Sequence, residues 1–157
     1  MQTSFSRDMT REGWRLVDDV KNVREISIPN LSILPLPRRN PREIVDSDGG
    51  VYVRVAPVSG AKMRSFAKEK GADFGQRHAE YMLEHAKDIP RWWRRYAIIF
   101  PGTVWRDSER KLRVPRLWYE VTDFSTGTGA WRLDFLPLAG NWARHEGDQT
   151  RLLRPRT

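Results

Sequence analysis

The sequence predicts an α+β fold: a short N-terminal part of strands or an arm, central helices, and a C-terminal antiparallel β-meander. Three observations carry this. Phe74, His78, Tyr81, Met82, His85 and Ile89 recur at helical spacing and stop before Pro90. From residue 96 onward the period becomes two: Leu112 and Val114 alternate with Lys111 and Arg113, and Trp131, Leu133 and Phe135 alternate with Arg132 and Asp134. Turn chemistry separates these runs at Pro101-Gly102, at residues 107–110 and at the TGTG of 126–129.

Taken in order, Ser4 to Val23 reads as a short helix with Met9, Trp14, Leu16 and Val17 as its apolar residues. ISIPNLSILPLP, residues 26–37, is apolar but broken by Pro29, Pro35 and Pro37, so it reads as an edge strand or an extended arm. A proline-rich arm or linker is assigned to residues 31–43. Residues 43–55 form a hairpin, because Val51, Val53 and Val55 alternate with Tyr52 and Arg54, and Asp48-Gly49 supplies the turn. Ser59 caps a helix from Ala61 to Lys70 that stops at Gly71. Asp73 is the expected cap of the second helix, with Gln76 three residues on. Strands follow at Tyr96–Phe100, Thr103–Arg106 and Lys111–Tyr119. Residues 147–157 read as a basic, flexible tail, and the whole 157-residue chain as one domain.

Composition narrows the chemistry. With no cysteine, disulfides, thiolate metal sites and cysteine nucleophiles are excluded. No apolar run approaches the roughly 20 residues of a membrane-spanning helix, and MQTSFSRDMTREGW lacks the apolar block of a signal peptide. A cytoplasmic location is the expectation. The net charge is +8, unevenly spread: residues 1–90 hold 15 basic and 13 acidic side chains, residues 91–157 hold 13 and 7. Such a field favours an anionic partner.

Several catalytic readings fail on spacing. His78 and His85 sit two helical turns apart, about 10.5 Å along the axis, too far to share zinc with bonds of about 2 Å. In DSDGG the calcium-loop glycine position falls on Val51 and the bidentate carboxylate position on Pro57. No P-loop lysine follows TGTG, and no serine sits in a nucleophile elbow. Glu109-Arg110-Lys111 spells the E-x-K of a metal-dependent nuclease, with Asp46, Asp48 or Asp107 as the missing carboxylate, but Glu109 falls in an expected turn. No cofactor, no metal and no enzyme activity are expected.

Five of the seven tryptophans lie between residues 92 and 131. Trp131 alternates with charge and is expected in the core, and Trp105 and Trp118 flank one hairpin. Adjacent Trp92 and Trp93 cannot both point inward, so one is expected at the surface beside Arg91, Arg94 and Arg95. A tryptophan among arginines suits an interface anchor. It also suits base stacking with phosphate contacts. The nucleic-acid reading adds Arg151, Arg154 and Arg156 of the tail.

Phe100-Pro101-Gly102-Thr103-Val104-Trp105-Arg106, then Val114, Pro115 and Leu117, then Trp131, Leu133 and Phe135, then Trp142, Arg151 and Leu152 form a further pattern. It resembles a family of small, mostly uncharacterised bacterial proteins, and it is similar to variable-region target proteins of diversity-generating retroelements. The resemblance covers residues 96–157. It implies a fixed, C-type-lectin-like scaffold that presents changeable side chains to a ligand; a small barrel is the other form expected for the meander. The intervening positions are Asp107, Glu109, Arg116, Tyr119, Asp134, Asn141, Arg144 and His145. The functional expectation is a non-enzymatic module that offers these residues and Arg91–Arg95 to a macromolecular partner, a protein first and nucleic acid second.

Overall fold

The computed structural model describes residues 4–21, 24–37, 42–45, 47–54, 59–139 and 149–156. The fold is α+β. Two helices, α1 (Gly60–Glu69) and α2 (Gln76–Glu84), pack on an open, mixed sheet of seven strands that is not closed into a barrel. Its strands are β1 (Arg15–Asp18), β2 (Leu31–Pro35), β5 (Ala97–Ile99), β6 (Val104–Arg106), β7 (Leu112–Asp123), β8 (Thr128–Pro137) and β9 (Thr150–Pro155). Separately, β3 (Arg42–Val45) and β4 (Val51–Arg54) form the expected hairpin, with Gly49 at φ 82° in its turn.

β7 is the spine. β8 covers one side of it along ten paired positions. β5 and β6 lie end to end on the other side, antiparallel, with FPGT between them bulging out of the ladder. Beyond the bulge the sheet forks. β6 continues to β1, whereas β5 continues to β9, which runs parallel to it and carries β2 on its far edge. The meander therefore holds for β6 to β8, β5 shares its side of β7 with β6, and β9 breaks the antiparallel pattern.

Strand alternation puts successive residues on opposite faces, and the core divides accordingly. Ile98, Leu117, Leu133 and Leu153 join Ala79 and Met82 of α2 on one face. Ile99, Val114, Leu138 and Leu152 join Met63 and Ala67 of α1 on the other.

Three expectations need correction. The N-terminal segment is a 3-10 turn, Met9–Glu12, and a strand, because Asp8 caps the turn and Gly13 stops it in the left-handed region at φ 79°. Of the two readings of the proline-broken stretch, the edge strand holds over 31–35, paired with β9 at the sheet's edge, and the arm or linker reading is corrected there. The tail is no free end over 150–155: Leu152 and Leu153 are fully buried on opposite faces, which fixes β9 in the sheet interior. Residues 38–41 and 141–148, including Asn141, Arg144 and His145, lie outside the described residues.

The fork is filled by the start of α2. Gly75, and not Asp73, precedes the first helical residue. Its N–H donates to His78 Nδ1 at 3.0 Å, and Gln76 N–H donates to Thr103 Oγ1 at 2.8 Å, so the bulge caps the helix from outside. Thr103 in turn donates to Asp19 at 2.7 Å, and Arg77 holds the other oxygen of Asp19 at 2.5 Å. Gln76 is completely buried, accepts from Trp105 Nε1 at 2.7 Å and donates to Arg7 O at 2.6 Å. Glu80 accepts from Ser6 N–H at 3.0 Å and Arg7 N–H at 2.6 Å. The N-terminal segment, the bulge and α2 are thus one hydrogen-bonded unit.

His78 is locked as one neutral tautomer. Nδ1 accepts from Gly75 N–H, so Nε2 carries the proton and donates to Arg24 O at 3.0 Å. Protonating Nδ1 would set N–H against N–H. Burial pushes the His78 pKa down from 6.5 to about 4. The unfolded chain then binds the extra proton between those values, so stability present above pH 6.5 is lost as pH falls toward 4. Acidification from pH 7 to 5 should cost about 2 kcal/mol. Urea melts at the two pH values should show it, and a His78→Gln variant should lack most of the slope. A slope unchanged in that variant would assign it elsewhere.

Candidate functional site: an arginine–aromatic patch

Pro90 ends the α2 region with fixed φ, and Arg91–Arg95 then makes a single 3-10 turn before β5. A turn this tight puts neighbouring side chains on different sides. Trp93 is buried at 1% exposure in the α2-face core, and Trp92 stands out at 59%. This is the split that the adjacent tryptophans require. Their rings meet edge to face at 6.1 Å, and Trp92 meets Tyr96 in the same way at 6.3 Å.

The arginines rest on ring faces. The Arg94 guanidinium lies 4.3 Å from the ring centre of Tyr119, and that of Arg95 lies 5.2 Å from Tyr96. Arg151 covers Tyr96 at 4.2 Å. The topology explains why Arg151 arrives here. It pairs with Ile98 in the parallel ladder, and it shares the α2 face with Leu153, as Tyr96 does with Ile98. Among the described residues, Arg91, Arg94 and Arg95 have no carboxylate partner. A guanidinium stacked by its face keeps its edge N–H groups available, and those are the groups that grip carboxylate or phosphate.

The remaining candidates do not join this patch. Arg116 lies on the α1 face, two residues from Val114, and pairs bidentately with Asp134 at 2.8 and 2.5 Å, opposite it on β8. Arg154 also lies on the α1 face, two residues from Leu152. Arg156 sits at the far end of β9, its Nε on Leu31 O at 3.2 Å, roughly 17 Å along the strand from Arg151. The tail and the turn therefore share one arginine, and the single continuous basic face expected of the nucleic-acid reading is absent for Arg154 and Arg156.

Asp107 and Glu109 occupy the turn before β7, roughly 25 Å along that strand from Tyr119. The Asp107 carboxylate is spoken for: Oδ1 accepts from the N–H groups of Glu109 and Lys111, and Oδ2 from Arg113 Nε at 2.9 Å. Burial opposes its charge, but the Lys111 N–H, the Arg113 guanidinium and the Glu109 N–H hold its pKa below the ordinary aspartate value. Glu109 and Lys111 form an exposed ion pair at 3.5 Å. Three hydrogen bonds thus commit both oxygens of Asp107 to shaping the turn.

One contributor, Tyr96, is not among the sequence candidates: its sequence context reads mainly as a core strand, although as the first residue of an exposed-to-buried run it is the natural place for a rim aromatic. Tyr119 is a candidate as an intervening position, and its place under Arg94 depends on a tertiary contact. No family model matches the chain, and no curated protein and no solved structure matches it either.

Proposed function

We propose that the chain is a non-enzymatic binding module that docks an acidic protein segment on Trp92, Tyr96 and the arginines around them. The observation that carries this reading is the unpaired arginine trio beside an exposed tryptophan. Tryptophan and arginine are the residues most enriched among interface anchors. Their rigidity here lowers the ordering cost of binding, because the rings and guanidiniums already hold one another. The compactness of the patch favours a local anionic segment over a long polyanion.

Single-stranded nucleic acid is the second reading, and Arg151 favours it, because it adds a fourth guanidinium beside the ring on which a base could stack. One experiment separates the two. A glutamate-rich peptide containing a tyrosine and a short oligo(dT) are titrated against the protein at about 50 and 200 mM salt, with tryptophan fluorescence as readout. The peptide should bind more tightly at both salts. Trp92→Ala should cost about 2 kcal/mol, and Arg94→Glu with Arg95→Glu at least tenfold, about 1.4 kcal/mol. Tighter oligo(dT) binding with the steeper salt loss would move the assignment to nucleic acid. Binding of neither would remove the patch as a docking site.

A further inference from the structure

Among the described residues, β8 pairs with β7 alone and is a sheet edge. Which of its backbone groups face outward follows from β7. Phe100 N–H donates to Pro115 O from the β5 side, and β5 also pairs with Leu117, so Pro115 and Leu117 turn their backbone groups away from β8. In an antiparallel ladder the residues directly opposite turn theirs away too, and the alternation repeats every second residue. Phe135, Leu133, Trp131 and Gly129 therefore present N–H and C=O to the open side.

Arginines close half of this edge. Arg7 donates to Leu133 O, and Arg113 donates to Phe135 O at 3.4 Å. Blunting an edge with charged side chains is a common defence against pairing. The defence stops at Leu133: no described residue meets the outward groups of Trp131 or Gly129. Alongside that open stretch, α2 leaves a groove of about 380 Å³, walled by Glu80, Leu83 and Glu84 on one side and Trp131, Arg132 and Leu133 on the other, with Arg7 also in its lining. Glu84 is exposed and has no ion-pair partner among the described residues. Arg132, the nearest cation on β8, is held by Glu120 at 3.2 Å.

We propose that this groove takes an extended polypeptide bearing a lysine or arginine, which joins the sheet as an extra strand on β8. A residue opposite Trp131 gains two backbone hydrogen bonds, and one opposite Gly129 gains two more. Leu83 and Trp131 supply apolar wall, and Glu84 selects the basic side chain. Backbone pairing gives affinity in such strand addition, and the flanking pockets give specificity. Glu84 sets the occupant: of the four charged side chains in this lining, Arg7 donates to Leu133 O, Glu80 accepts from the Ser6 and Arg7 N–H groups and Arg132 is held by Glu120, while Glu84 alone has no bond to a described residue. The site uses none of the patch residues, so it stands or falls separately from the patch.

The test uses two synthetic peptides of alternating threonine and valine, one with a central lysine and one with a central glutamate. Amide hydrogen exchange is followed by NMR on the full chain. The lysine peptide should slow exchange at Trp131 and Gly129 at least tenfold and bind at least tenfold more tightly than the glutamate peptide. Glu84→Lys, an exposed change that leaves the core intact, should invert that order. Absence of protection at both amides with either peptide would overturn the proposal, as would an order indifferent to Glu84→Lys. Protection that appears without peptide and grows with protein concentration would overturn the peptide as occupant and give the edge to a second copy of the chain.

Discussion

Gly102→Ala should destabilise the protein by about 3 kcal/mol, the upper end of what overpacking costs. A Cβ there would stand 2.2 Å from Asp73 O and 2.9 Å from the carbonyl carbon of Phe74, with Val20 Cγ2 at 2.6 Å. Two of these three atoms are backbone, so no side-chain rotation relieves the clash. The bulge has to retreat from α2, and the hydrogen bonds from Gly102 N–H to Phe74 O and from Gln76 N–H to Thr103 Oγ1 go with it. Gly127→Ala is the contrast. Its φ is 72° but nothing lies within 4 Å of the new Cβ, so only the left-handed conformation is penalised, about 1 kcal/mol. Urea midpoints of the two variants give the comparison. Equal losses would mean that the bulge does not hold the fork together.

Gln76→Leu should cost about 3 kcal/mol, although leucine matches the volume and suits a buried helical position. The loss comes from two groups left without partners, the buried Trp105 indole N–H, worth about 1–3 kcal/mol, and the partly buried Arg7 carbonyl, worth less. A double-mutant cycle isolates the shared part. Trp105→Phe removes the indole N–H, so Gln76→Leu should cost at least about 1 kcal/mol less in that background. Strict additivity would mean that the glutamine acts through packing alone. Against a typical domain stability of 5–15 kcal/mol, either variant consumes a large share.

Local signals made much of this fold legible. Ser59 does cap α1, with its Oγ 3.2 Å from Lys62 N–H, and Gly71 does sit in the left-handed region at φ 65°. The apolar positions His78, Met82 and Ile89 are buried as their spacing requires. The alternation of Trp131 and Leu133 with Arg132 likewise marks the inner face of β8. What failed was non-local. β9 looks like a basic tail because Arg151, Arg154 and Arg156 dominate its composition, yet its place depends on β2 and β5, which lie far away in sequence. The cap of α2 comes from Thr103, 27 residues from Gln76, and no window around Asp73 contains that information.

The candidate site divides in the same way. Trp92 beside three arginines could be named from the sequence alone, because two adjacent tryptophans cannot both be buried. Arg116 and Asp134 satisfy one another across the ladder, and that pairing depends on a register no short motif encodes. Arg151 reaches the patch through the only parallel pairing of the main sheet's described strands.

The fork in the sheet also bears on how the molecule assembles. β7 and β8 meet through a short turn, so their pairing closes quickly and locally. β2 has no partner until β9 arrives, and Arg156 finally contacts Leu31 across 125 residues. Such long closures raise contact order and slow folding. Until that closure, β2 and β5 are strands with open sides and apolar residues awaiting cover. The arginine-rich composition of β9 then has a second meaning: it keeps a late-docking strand well hydrated and self-repelling while its place in the sheet stands empty.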